Sequence, residues 1–328
     1  MKNSSITIIT AVYNSAQFLR QMVESVGQQK LPPVEHLIVD DCSTDNSLSL
    51  AKELEIEFPL VRVVSLPKNV GYPAALNLGI NEATSEFIGI LDSDDIAMPN
   101  WLECVLPVLE RNLGVGLVGG GCVIMTVDGL VTGHVKYCEK EGDVTFDVSN
   151  GNYPILHPGC VHRRSVILNA GGYNPLLRSL EDSDMFLNVA SISRIFNVGI
   201  PLIYYRRLPG SESRKTQEYT ALAKEFLHKK AMLLSMGRSI SDANAELSSI
   251  IVQFPSVPRL APTIPGEYEH EMAGYLRRNG QQDKAFRYYL ESARVGFKRF
   301  LSCRRAFCCL FPMLKIKIKK IVYKMTPK

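Results

Sequence analysis

Three aspartates fall within four residues, Asp92, Asp94 and Asp95, inside the stretch GILDSDDIAMP at 89–99, after an apolar run and before a proline. Carboxylates this close repel one another, and a chemistry that uses them is the holding of a divalent cation, Mn2+ or Mg2+, that bridges phosphate oxygens. Two further polar or acidic clusters stand in AVYN (11–14) and VDDCSTDNS (39–47), and a third acidic group, Glu181, Asp182 and Asp184, opens a helical pattern. If the strand before DSDD continues far enough, Asp92 and Asp94 project to one side, so that one reaches a ribose hydroxyl and the other a metal. The chain has neither GxGxxG after its first apolar run nor GxxxxGK[ST] anywhere, so phosphate has to be held without a dinucleotide fingerprint or a P-loop.

The elements that position these groups follow from the apolar pattern. ITIITAVYN, EHLIVDD, VRVVSL and FIGILD alternate with the helical stretches SAQFLRQMVESVGQQ, NSLSLAKELE, PAALNLGINEA and PNWLECVLPVLERN. Strands that are apolar throughout, instead of at every second residue, are buried on both faces, which points to an α/β fold with a mostly parallel sheet flanked by helices. Ligands bind such sheets beyond the carboxyl ends of the strands, where strand order reverses, so AVYN, VDDCSTDNS and LDSDD are expected at one crevice. After Gly116 the pattern turns hairpin-like, with helices at about 163–170 and 181–190 and a strand, turn and strand in IFNVGIPLIYYRR at 195–207, extending the same sheet. From about Lys215 the pattern is helical, broken by the proline-rich QFPSVPRLAPTIPGE at 253–267, and it ends in a helical hairpin turning at Asn279 and Gly280. The expected domains are 1–214 and a helical C-terminal region, 215–328, with a basic tail.

Taken together and in order, TAVYN, VDDCSTDNS, NVGYPAALNLGI, DSDD and GGYNPLLRSLEDSD resemble the family 2 glycosyltransferases with the GT-A nucleotide-diphospho-sugar transferase fold. The resemblance covers about residues 5–210, and YYRRLPGSES is similar to the segment that closes that domain. It implies an inverting transferase that moves a sugar from a nucleotide diphosphate, a UDP-sugar, to a saccharide or lipid-linked acceptor in surface polysaccharide assembly. By the same resemblance Ala11, Tyr13 and Asn14 pack on the nucleobase and Asp41 reads its uracil edge, while Asn69, Gly71 and Asn77 line the nucleotide and sugar pocket. Asp92 lies near the ribose, Asp94 is the metal ligand of the DxD element with Asp95 assisting, Asp182 is the catalytic base, and Glu181 contacts the acceptor. His157 is matched to an extra metal ligand that some GT-A enzymes draw from the later half of the domain, with His162 a lesser candidate. The chain departs from the family at Ala11, where a proline is usual, and lacks the QxxRW motif of processive synthases.

The same residues also suit structural roles. Asp92, Asp94 and Asp95 suit a turn before Pro99, Asp45 suits a helix N-terminus near Asn46, and acids at 181–184 complement a helix dipole. An EF-hand in DDCSTDNS is excluded by the missing glycine and closing glutamate. The rival functions are a non-catalytic nucleotide-sugar-binding protein and a metal-dependent nucleotidyltransferase, the latter wanting a Gly-rich basic loop where TAVYNSAQFLR stands.

Composition limits the partners. With 328 residues, 46% hydrophobic and 21% charged, the chain is of ordinary globular make-up. Its net charge of +4 conceals an acidic body and a basic end, since eleven lysines and arginines and no acid follow Ser292. That tail suits an anionic bilayer, worth about 1 kcal/mol per basic residue near the surface. No stacking platform or recognition motif supports nucleic acid. The eight cysteines lack zinc spacing and read as free thiols, and no export signal is evident at the N-terminus, so the expected place is the cytoplasm, at the inner face of the cell membrane.

Overall fold

The computed structural model describes residues 5–177, 180–209, 217–253, 265–298, 301–303, 305–306 and 308–309. The proline-rich segment, apart from its ends, and the basic tail beyond Cys309 lie outside the described residues.

The first half alternates β1 (Ile6–Val12), α1 (Ala16–Gly27), β2 (Glu35–Asp40), α2 (Ser47–Glu57), β3 (Val61–Ser65), α3 (Tyr72–Glu82) and β4 (Phe87–Ile90), then β5 (Ile96–Ala97) and α4 (Trp101–Arg111). β6 (Val115–Met125), β7 (Val131–Lys136), β8 (Gly142–Asp143), α5 (Thr145–Ser149), β9 (Val161–Arg163), α6 (Arg164–Asn169), α7 (Glu181–Ile192) and β10 (Arg194–Arg206) follow. Helices α8 (Gln217–Ser235), α9 (Ile240–Glu246), α10 (Ser248–Ile251), α11 (Glu267–Arg278) and α12 (Gln282–Arg294) complete the described chain.

One sheet runs β3-β2-β1-β4-β9-β6-β10-β5, with β7 on β6 and β8 on β10. The first four strands are parallel, Ile9 pairing with Leu37 on one side and Ile90 on the other. β9 then adds antiparallel to β4, Ile88 opposite His162. The chain moves from β1 outward to β3 and returns to place β4 on the other flank of β1, so strand order reverses beside the carboxyl ends of β1 and β4. β1 is buried at all seven positions and β4 at all four, as their unbroken apolar sequences require. Close packing on these strands uses absent side chains: a Cβ on Gly79 of α3 would stand 2.6 Å from Ile9 Cγ2.

The sequence pattern at 195–207 suggested two strands, whereas β10 is one strand through 206. Gly199 absorbs the irregularity with φ 67, a left-handed conformation that glycine adopts without a Cβ clash, so the chain bends without leaving the sheet. The hairpin turn expected at Asn279 and Gly280 lies between α11 and α12, with Gly280 at φ 77.

By packing, the chain forms two compact units, neither of them one continuous stretch. The first comprises 1–122, 136–205 and 212–260, so it includes α8, α9 and α10. Leu177 and Leu180 before α7 share a buried cluster with Phe226 of α8 and Ala243 of α9. The second comprises 123–135, 206–211 and 261–328. In it, α11 and α12 hold the turn after β6 and the start of β7: the Tyr268 phenol accepts from Val127 N at 2.7 Å, and Gln281 Nε2 donates to Thr132 O at 3.0 Å. Arg206 donates to Val127 O at 3.0 Å and Arg207 pairs with Glu271 at 3.4 Å.

Two histidines are sealed in the sheet. His36 meets Thr10 Oγ1 at 3.1 Å, and both ring nitrogens of His162 lack a partner. Burial pushes both down from 6.5 to about 3, and for His162 the nearby His157 adds to the effect. The unfolded chain therefore binds more protons than the native one between these values, so stability is lost as pH falls through that window. Each ring is expected to cost about 2 kcal/mol on going from neutral pH to about pH 5, read as a fall in the urea midpoint. Replacing His162 by leucine should remove about half of that fall; an unchanged pH slope would contradict the buried neutral assignment.

Candidate active site

The loops after β1, β2 and β4 are tied together by side chains. Asn14 takes a left-handed φ of 53 and its Oδ1 accepts from Thr44 N at 2.8 Å and Asp45 N at 3.2 Å, joining the first loop to the second. Ser93 Oγ donates to Ser15 Oγ at 2.7 Å, joining the first to the third. Asp45 accepts from Ala16 N and Ser47 N, the first residues of α1 and α2, and is structural as its sequence context indicated. Ala11 lies inside β1 at 7% exposure, whereas Tyr13, just past the strand, is half exposed.

Asp41 has a more specific job than its motif suggested. It is 2% exposed, and its two carboxylate oxygens accept from Val70 N at 2.7 Å and Gly71 N at 2.8 Å, while Asn69 Nδ2 donates to its carbonyl at 3.1 Å. The carboxylate thus fixes the loop that enters α3, where Gly71 has φ 89. Asn77, on α3, points its amide at the backbone of Tyr173, accepting from its N at 2.8 Å and donating to its O at 2.7 Å. The Gly172 position holds that loop close, because a Cβ there would meet Asn77 Oδ1 at 2.5 Å.

Asp92, Asp94 and Asp95 offer oxygens all within 4.8 Å of one another, directly after β4. Three mutually repelling carboxylates in one place match the hard oxygen donors of Mg2+ or Mn2+. Asp92 Oδ1 accepts from the Tyr72 phenol at 2.5 Å. Burial, then the Asp92 charge, pushes the Tyr72 phenol well above its ordinary value, so it stays a donor. Tyr72 lies within NVGYPAALNLGI, where nothing local in the sequence points to this contact.

His157 is not among this group of close carboxylates. Its Nε2 faces the Tyr173 phenol at 2.8 Å, and the two rings meet edge-on, 5.4 Å apart at 90°. Burial lowers its basicity, opposed by the Asp182 charge. His162 sits in β9 within the sheet, away from any close group of donors among the described residues.

The acids of α7 diverge. Asp182 Oδ1 accepts from Ser183 N at 2.6 Å and stays partly exposed. Asp184, two residues on, is fully buried against Lys230 of α8, itself fully buried. Burial raises the Asp184 carboxyl and lowers the Lys230 amine, each opposed by the other's charge. Successive positions two apart on a helix lie about 200° apart, so Asp182 and Asp184 face different surroundings. Tyr173 links the two acidic clusters: its buried phenol is raised by burial and then by the charges of Glu181, Asp182 and Asp92 among its neighbours. By contact, Asp92 is joined toward Tyr173 through the Tyr72 phenol and the His157 ring, whose centroid lies 6.3 Å from that of Tyr72.

Residues 7–168 match the family described as glycosyl transferase family 2. The chain is similar to an uncharacterized glycosyltransferase of Haemophilus influenzae, 24% identical over 217 residues, covering 61% of this chain and 65% of that one. It is also similar to chondroitin synthase of Escherichia coli, 28% identical over 220 residues, 63% of this chain and 29% of that one. The chain thus spans less than two thirds of these curated relatives. Among solved structures it resembles residues 1–349 of S. aureus TarS in complex with UDP, with TM-score 0.54 and 16% identity over 92% of this chain and 88% of that one. A mannosyltransferase, PcManGT from Pyrobaculum calidifontis, in complex with GDP-Man and Mn2+, gives TM-score 0.50 and 17% identity over 94% and 81%. At these identities the likeness establishes the fold, an α/β arrangement of the GT-A glycosyltransferase kind with a helical C-terminal region.

Proposed function

Because the chain belongs to glycosyltransferase family 2 through residues 7–168, we propose that it transfers a sugar, with inversion, from a UDP-sugar to a saccharide or lipid-linked acceptor in surface polysaccharide synthesis. The observation that carries this reading is the Asp92, Asp94 and Asp95 group at the carboxyl end of β4, at the reversal of strand order. TarS in complex with UDP and PcManGT in complex with GDP-Man and Mn2+ support a nucleotide donor and a divalent ion by analogy of fold.

Asp94, assisted by Asp95, would hold Mn2+ or Mg2+ there, and Asp92, oriented by Tyr72, would take the ribose. The ion when bound supplies charge neutralisation for the departing diphosphate. Tyr13 and Asn14 offer the nucleobase a half-open face, and Asp41 keeps Asn69 and Gly71 in place through the backbone it binds. Asp182 accepts the proton of the acceptor hydroxyl, opposite the leaving group, and Glu181 beside it orients the acceptor. Asn77 and His157 serve this step indirectly, by holding the Tyr173 loop ahead of α7. Residues 1–214 carry the catalysis in this reading, and the basic end meets the anionic inner face of the cell membrane. No helix among the described residues is long and apolar enough to cross one.

The test is a screen of UDP- and GDP-sugars for nucleotide release with Mn2+, with and without excess chelator. Release from a UDP-sugar that chelation abolishes is expected. No release from any donor, or release indifferent to chelation, would overturn the proposal.

A further inference from the structure

A groove of about 530 Å3 in the first unit runs between α8 and the end of α5 with the segment after it. Its α8 wall is a stripe of Lys224, Leu227, His228 and Ala231, spaced three and four apart as one helical face requires. Tyr153 lines the other wall and fixes where the groove sits. Its ring centroid is 6.2 Å from that of Phe186, and Phe186 stands one turn beyond Asp182 on the same face of α7. The groove therefore lies beside the helix face that carries the proposed base.

Its charge is unbalanced. Lys229 is paired with Glu225 and Lys230 with Asp184, whereas among the described residues Lys224 and His228 have no acidic partner, and no Asp or Glu lines the groove. The Lys224 ammonium brings a charge and three donors, and the His228 imidazole brings another donor one turn away. The Ser149 hydroxyl lines the opposite wall. All three side chains are exposed, so a ligand can reach them. A positive charge with N–H and O–H donors around it matches the oxygens of a phosphate or a carboxylate. Leu227, Ala231 and the Tyr153 ring leave an apolar surface for the rest of the ligand, and the volume lies in the range of small-molecule sites.

We propose that this groove is an anion subsite for the acceptor: a phosphate or carboxylate borne by the saccharide is held by Lys224, His228 and Ser149, with the sugar ring toward Tyr153. The binding stands on the groove alone; that the anionic saccharide is the acceptor end of the transfer rests on the reading given above. A sugar joined to a lipid through phosphate and an acidic sugar both present this chemistry, and the choice of probes separates them.

Saturation-transfer NMR on the full chain, without nucleotide or metal, tests this with N-acetylglucosamine 1-phosphate, glucuronic acid and N-acetylglucosamine as probes. Binding of at least one of the two anionic sugars, about tenfold tighter than the neutral one, is expected, the phosphate pointing to a lipid-linked source and the carboxylate to an acidic sugar. Lys224→Gln, at an exposed position, should lower that affinity about tenfold, and Lys224→Arg should keep it. Raising the salt from about 0.1 M to about 1 M should weaken binding to the parent and hardly change it in Lys224→Gln. A lysine with a merely structural role would show neither the rescue by arginine nor the altered salt response. Equal affinity for charged and neutral sugars, no binding of either anionic probe, or an affinity unchanged when Lys224→Gln is combined with His228→Gln overturns the proposal. UDP contacts measured separately with Mn2+ on the unsubstituted chain keep the two readings apart: anionic-sugar contacts without UDP contacts retain the groove and remove glycosyl transfer, and the reverse result does the opposite.

Discussion

Asp182→Asn is expected to lower the turnover of sugar transfer by about 10²–10⁴-fold, the range of general base catalysis, while UDP affinity changes less than about twofold. The amide keeps the shape of the group, so the hydrogen bond from Ser183 N to its oxygen can persist, but it cannot accept a proton from a hydroxyl. The nucleotide contacts proposed for Tyr13, Asn14 and Asp92 lie on other loops, which is why donor affinity is spared. Retained transfer in this variant would remove Asp182 from the mechanism and leave the aspartate group without a base opposite it.

The second large effect is on stability. Asp184→Ala is expected to cost about 3–5 kcal/mol in urea unfolding, because it leaves the Lys230 ammonium buried without its counter-charge. It also strips Asn188 Nδ2 of its acceptor. Replacing both ionic partners, Asp184→Leu with Lys230→Met, should recover most of the loss, since an apolar pair of similar volume needs no compensation, less about 1 kcal/mol for the Asn188 amide. The single variant should lower transfer as well, because the pair clamps α8 onto the helix that presents Asp182. A single variant within about 1 kcal/mol of the parent would show that water reaches Lys230.

What could be read from the sequence was the part governed by local pattern. The parallel strands announced themselves as unbroken apolar runs, and the meeting of the loops after β1, β2 and β4 followed from strand ends that carry AVYN, VDDCSTDNS and LDSDD. The free thiols stand as expected. Long-range pairing was not legible. Asp41 reads as a ligand-facing acid until its two oxygens are found on the amides of Val70 and Gly71. Tyr72 and Tyr173 lie inside quoted motifs, yet nothing local shows that one phenol reaches Asp92 and the other His157. Asp184 looked like a third acid of a helix start, and helical geometry turns it from Asp182, but only a lysine 46 positions away explains its burial. That lysine, with the apolar cluster of Leu177, Leu180, Phe226 and Ala243, packs α8 with the first unit, beyond the boundary after 214 that the change to a helical pattern suggested. Gly199 looked like a turn because the sequence does not say that both flanks pair in one strand.

The most direct measurement is calorimetric titration of UDP into the chain and into Asp94→Ala, each with and without Mn2+. The account predicts that Mn2+ strengthens UDP binding to the parent by about two orders of magnitude and leaves the variant nearly unaffected. Equal strengthening in both, or none in the parent, would contradict the claim that the acids after β4 grip the diphosphate through a cation.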